Sequence, residues 1–282
     1  MYLIASIIWQ VFCFTIFAVI CSTVVLCAGL ALIWALEERR GVASIPDRPT
    51  PALLVCSILE LVATAFAILA SPVAWMAPRP LSKAPQARAV AVIAGWGLGP
   101  IPVALLAARL RARGRVVHVF HPGTVFNDLD ERVELLATAL ADSFETTGVA
   151  LYDVVTHGDG GILLRAAANS SPALAERFGN IVTIGAPHAG VLFAHFFRKT
   201  RWATLRPGSH WLARLDGEES LADGRRHVTT IASDSDWLVC PTRSAQYDAA
   251  FNVRTDLVGH FSLLASERIF DLLTENLEFG VG

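Results

Sequence analysis

From Tyr2 to Leu36 the chain carries no charged side chain, and Gln10 is the most polar residue of the run. Wound as one helix, that stretch would reach roughly 50 Å, more than the ~30 Å hydrocarbon core of a bilayer. A secretory signal peptide needs a basic flank and a shorter core, and neither is present. Glu37-Glu38-Arg39-Arg40 closes the run at a water interface, and a linker with Pro46, Pro49 and Pro51 follows. Ala52–Met76 is a second apolar run, closed by Pro78, Arg79 and Pro80. Two such runs predict a two-pass transmembrane anchor over residues 1–76, then a linker over 77–88. Glu60 falls in the middle of the second run, where a carboxylate is costly and often functional; a paired Glu between two helices is the plainer role. Met1 has no basic neighbours, so the Arg-bearing linker is expected on the cytoplasmic side and the C-terminal domain outside it. Arg79, Lys83 and Arg88 on the far flank pull the other way.

The remainder, 89–282, changes character. Short β-branched runs alternate with helical ones: strands are expected at Ala89–Ala94, Arg115–Phe120, Asp153–Val155, Asn180–Ile184 and His227–Ala232. Helices are expected at Pro102–Arg113, Leu129–Phe144, Ile162–Ala168 and Ser262–Leu277. This alternation predicts an α/β fold, a mainly parallel sheet with helices on both faces, and ligands gathering beyond the carboxyl ends of its strands. The net charge of −2 leaves no electrostatic footprint for nucleic acid. No zinc spacing, Walker motif or dinucleotide glycine pattern occurs. Cys13, Cys21, Cys27 and Cys56 lie in the apolar runs and Cys240 stands alone, so no disulfide framework is expected.

Val154-Val155-Thr156-His157-Gly158-Asp159-Gly160-Gly161 falls between an expected strand and an expected helix. It resembles the nucleophile elbow of the α/β-hydrolase superfamily, in the G-H-S-x-G-G form of bacterial triacylglycerol lipases and esterases. Thr156 and Gly160 fill the two small-residue places, His157 and Gly161 match the family His and glycine, and the nucleophile position falls on Gly158, which has no hydroxyl. Taken alone, the segment equally suits a glycine-rich turn of another fold. Further segments match in family order. Ala91–Gly97 resembles the first-strand oxyanion segment, with Gly95 and Trp96 carrying the match. Gly185-Ala-Pro-His-Ala-Gly190, containing Pro187 and His188, is similar to the family's G-x-P-H-x-G. Leu205–Leu212 looks like its P-G-S-x-x-L. Ile231–Pro241 resembles the strand-end acid motif, and Val258–Leu264 the closing G-H-x-x-L-L.

The resemblance implies a catalytic acid at Asp236, with Asp234 as competitor, a base at His260, and oxyanion donors at the backbone N–H groups of Trp96 and Asp159. It implies neither metal nor organic cofactor. His118, His121 and His188 are expected to be structural or pocket-lining. A cap is expected at about 191–226, where Phe193, Phe196, Phe197, Trp202, Trp211 and Leu215 interleave with Arg198, Lys199, Arg201 and Arg206. That mixture suits a membrane-facing lid or, equally, helices packing on the sheet. The functional expectation is a membrane-anchored, lipase-like scaffold for lipid acyl esters, in a bacterial inner membrane, impaired by Gly158. The alternatives are a pseudoenzyme that binds lipid or protein at the membrane, and a hydrolase with Asp159 as nucleophile.

Overall fold

A computed structural model describes residues 50–76, 88–124, 126–196, 201–218, 221 and 227–278, with side chains on the first helix described over 55–69. The first apolar run, the linker at 77–87 and parts of the cap lie outside these residues.

Helix α1 (Thr50–Met76) precedes an alternating series: β1 (Arg88–Ile93), α2 (Ile101–Ala112), β2 (Val117–Phe120), α3 (Leu129–Thr147), β3 (Leu151–His157), α4 (Gly160–Ser170), α5 (Pro172–Ala175), β4 (Phe178–Ile184), α6 (His210–Gly217), β5 (Val228–Ser233), β6 (Phe251–Thr255) and α7 (Glu267–Glu278). The strands form one sheet in the order β2-β1-β3-β4-β5-β6, every pair parallel. The expected strands and helices are present with small shifts at their ends, except that the closing helix expected from Ser262 is a 3₁₀ turn at Ser262–Leu264 followed by α7 from Glu267. Strand β6 was not anticipated, because Phe251, Asn252 and Arg254 on this edge strand are exposed and its run is not apolar.

Continuous apolar runs make these strands because both sheet faces are covered. Side-chain alternation divides β1 between two cores: Ala89, Ala91 and Ile93 face α3 and α4, whereas Val90, Val92 and Ala94 face α2 and α7. Helix α3 starts at a reciprocal capping box between Asp128 and Glu131 and stops at Gly148 in the left-handed conformation.

Helix α1 packs against α2 and the turn at 262–264. Cys56, Glu60 and Ala67 are buried, while Val55, Ile58, Leu59, Val62, Phe66 and Leu69 form an exposed apolar stripe at helical spacing. Among the described residues no helix is long and apolar enough to cross a membrane. The second apolar run thus forms α1, one face of which packs on the α/β domain, where Glu60 finds its partners.

The cap consists, over its described part, of 3₁₀ turns at Leu192–Phe196 and Arg201–Leu205 followed by α6. Phe193, Trp211 and Leu215 are buried, and Trp211 donates to Asp130 at 2.8 Å. Phe193 and Trp211 thus pack inward.

Candidate active site

The ends of β1, β3, β4 and β5 meet the loop before α7 at the carboxyl edge of the sheet. Asp236, just beyond β5, places Oδ2 2.6 Å from His260 Nδ1, and its Oδ1 accepts from the N–H groups of Leu238 and Val239 at 2.8 and 2.9 Å. Both residues are buried. The competing acid, Asp234, pairs instead with the half-exposed Arg254 at 2.5 Å. Gly185 lines the pair: a Cβ there would lie 3.0 Å from His260 Cε1 and 3.1 Å from Asp236 Oδ2.

The bend after β3 brings the other motif residues to this pair. Gly158 sits at its tip with φ +58°, a conformation a glycine adopts without strain. Close packing dictates the neighbours: a Cβ on Gly160 would meet the Ile93 carbonyl at 3.0 Å, and one on Gly161 would meet Ala186 Cβ at 2.5 Å. Gly95 abuts the His157 carbonyl and lies so close to Asp159 that a Cβ would be 2.9 Å from its N and Oδ1. His157 Nε2 is 3.1 Å from the His260 carbonyl oxygen, which holds the base from behind. His188 lies behind Gly161, where its ring bonds Thr183 at 3.1 Å and stacks on Tyr247.

The space in front of His260 is filled by Trp96. Its indole Nε1 donates to His260 Nε2 at 2.7 Å. A Cβ placed on Gly158 would collide with the same indole, 2.7 Å from Cδ1 and 2.8 Å from Cε2. The ring is 4% exposed and lies against Phe193 and Trp202 of the cap, with centroids 6.2 and 6.1 Å away. Trp96 also has φ +59°, a left-handed conformation that costs a bulky residue on the order of 1–3 kcal/mol, so its surroundings over-determine its place.

The expected oxyanion donor is occupied as well. The Trp96 N–H donates to Asp159 Oδ1 at 2.5 Å, and Arg132 bonds the same carboxylate through Nη1 at 2.5 Å and Nη2 at 3.1 Å. Arg132 and Asp159 are 4% and 0% exposed. The cavity bounded by Trp96, Asn127, Leu129, Arg132, Asp159, Trp202 and Leu205 measures about 10 Å³, at the lower bound of what holds one water. Sequence reading missed Arg132. Its signal was an Arg among the apolar stripe positions 129, 133, 136 and 140, where an unpaired charge would not be tolerated.

The carboxylates around His260 favour its charged form, while the Trp96 hydrogen bond requires a neutral ring. Burial alone would lower the His260 pKa, but the charge and hydrogen bond of Asp236, with Glu60 and Asp159 beyond, outweigh it and leave it raised. The partners fix the tautomer: Nδ1–H donates to Asp236, and Nε2 accepts from Trp96 only while the ring is neutral. Burial pushes His157 and His188 well below the ordinary imidazole value, helped by His260 beside the first and Arg165 beside the second. Below about pH 6.5 the unfolded chain therefore binds two protons that the fold refuses, and stability falls with pH by up to about 1.4 kcal/mol per unit for each. His260 has the opposite sign: its contribution is complete below the unfolded value and is lost as pH rises through the raised folded one. Urea midpoints are expected to drop from pH 6.5 to 5, with a shallower drop in His188→Asn. A flat profile would mean that these imidazoles titrate freely.

Among the described residues no group of three His, Cys, Asp or Glu side chains is placed to hold a metal ion. No protein-family model and no curated protein sequence matches the chain. Solved structures do. The mature form of a Bacillus licheniformis lipase superposes with TM-score 0.59 at 16% identity, over 70% of this chain and 95% of that one. Aspergillus fumigatus lipase B gives 0.57 at 13% identity, over 71% of this chain and 55% of the lipase. The chain has an α/β-hydrolase-like fold. A Listeria innocua gene product shares it, with TM-score 0.52 and 16% identity over 69% of this chain and 95% of that one. At these identities the likeness concerns the fold, and activity has to be argued from the site.

Proposed function

We propose that this chain is a membrane-tethered, lipase-like α/β-hydrolase scaffold whose centre is closed, acting as a binding module and not as an enzyme. The observation that carries the reading is the Trp96 indole. It bonds the face of His260 from which a base would take a nucleophile's proton, and it fills the volume a side chain at Gly158 would need. Acyl transfer through such a centre also needs donors for the developing oxyanion, and one expected donor is spent on Asp159. Asp159 is no better placed as nucleophile, since both its oxygens are held by Arg132. With the indole packed against both His260 and Gly158, a ligand would bind elsewhere on the surface.

Tethering is supported by the uncharged run at 2–36 and by the outward apolar stripe of α1. A bacterial inner membrane, with the domain on the non-cytoplasmic side, remains the localisation proposed from the arginine distribution. A second reading, an impaired hydrolase of lipid acyl esters, draws on one observation: the Asp236–His260 pair keeps the geometry of a working acid and base.

The test is the full chain in detergent and in phosphatidylcholine–phosphatidylglycerol vesicles, offered p-nitrophenyl butyrate, p-nitrophenyl palmitate and phospholipid. No release above buffer, no fluorophosphonate label and co-flotation with vesicles are expected. Turnover that disappears in His260→Ala would overturn the closed centre, and protein left behind on flotation would overturn the tether.

A further inference from the structure

The loops that bear Asp236 and His260 share a support from outside the α/β domain. On the buried side of helix α1, Glu60 Oε1 accepts from the Phe261 N–H at 2.8 Å. Its Oε2 accepts from the Ser262 N–H at 3.1 Å and from the Ser262 hydroxyl at 2.9 Å. Glu60 is 5% exposed. One turn earlier, the buried Cys56 thiol lies beside the Gly259 backbone and the Ser235 side chain. Ser235 precedes Asp236, while Gly259 and Phe261 flank His260, so a single helix face holds both loops.

The fit is specific. A Cβ on Gly259 would lie 2.5 Å from Glu60 Cγ and Cδ, so the loop and the carboxylate share a space only glycine leaves open. Buried backbone N–H groups need acceptors. Those of residues 261 and 262 find theirs on a residue some two hundred positions earlier, with a separation of 201 for the first bond. The Ser235 hydroxyl accepts from the Leu257 N–H at 3.1 Å, which draws the two loops together beneath the helix.

We propose that Glu60 is a positioning residue: from helix α1 it fixes the loop at 259–262, and thereby sets the His260 imidazole against the Trp96 indole. The seating of α1 on the domain then governs whether the centre stays closed. The geometric claim holds for a hydrolysing and a non-hydrolysing centre alike.

The full chain in detergent provides the test, through the indole N–H signals of Trp96 and Trp211 in proton–nitrogen correlation spectra. Trp96→Phe assigns the first signal. Trp211, bonded to Asp130 on the cap side, reports general loosening. In Glu60→Ala the Trp96 signal is expected to move and its hydrogen exchange to quicken about tenfold or more, as befits loss of buried hydrogen bonds, with Trp211 unchanged. Glu60→Gln, which keeps a carbonyl acceptor, and Ser262→Ala, which removes one bond of three, are expected to give smaller shifts in the same direction. They carry the test if Glu60→Ala does not fold. A Trp96 signal unmoved in all folded variants, or Trp96 and Trp211 altered equally, would overturn the proposal.

Discussion

Replacing Gly158 by Ser in the full chain is expected to give a protein that neither labels with a fluorophosphonate nor cleaves esters, whereas Trp96→Gly combined with Gly158→Ser labels slowly. A hydroxyl at position 158 alone is insufficient because the Trp96 ring already occupies the site of the added Cβ and holds the lone pair of His260 that would activate the oxygen. Forcing both into that space is an overpacking change, with an expected loss of about 1–3 kcal/mol of stability. Trp96→Gly removes the obstruction and suits φ +59°, which glycine adopts freely. It also removes a large buried side chain at a cost of about 3–5 kcal/mol, so the double variant is assayed well below its melting temperature, with circular dichroism confirming the fold. Its turnover is expected to stay low, because a lost oxyanion donor typically costs on the order of 10²–10³ in rate and the backbone N–H at position 96 is still free to bond Asp159. Brisk hydrolysis by Gly158→Ser alone would show that the indole leaves the site readily, and the closed-centre reading would fall.

The second large effect concerns Arg132 and Asp159. Asp159→Ala strands a guanidinium that is 4% exposed, and Arg132→Met strands a carboxylate that is 0% exposed. Each single change is expected to cost about 3–5 kcal/mol, against a whole-domain stability of about 5–15 kcal/mol. Arg132→Met with Asp159→Ala removes both charges, and it is expected to lose less than the sum of the singles by about 0.5–3 kcal/mol. Urea denaturation of the four proteins measures this directly. Single variants within about 1 kcal/mol of the parent would show an ion pair that contributes little, as exposed pairs do.

The alternating elements were legible because burial on both sheet faces writes itself into the chain as apolar, β-branched runs, unbroken at Ala89–Ala94. The pairing of Asp236 with His260 was legible for a different reason: their segments resemble those of a family in which short motifs fix loop geometry. Edge strand β6 escaped notice because its exposed side chains carry no apolar signal.

Local order alone determined the fold class of this protein, the approximate bounds of its strands and helices, and the positions of Gly158, Asp236 and His260 on strand-end loops. Periodicity and turn chemistry act over neighbouring residues, so a linear string contains them. What stands in front of His260 was decided only in three dimensions. The sequence reading assigned Trp96 and Asp159 to an oxyanion hole through their backbones, but their side chains fill the centre, one against His260 and the other against Arg132. Glu60 likewise reads as a carboxylate stranded in an apolar run until folding carries it to the N–H groups of Phe261 and Ser262. Each of these contacts joins residues 27 to 202 positions apart, and which long-range partner a side chain meets depends on shape complementarity among packed elements, which no local pattern encodes.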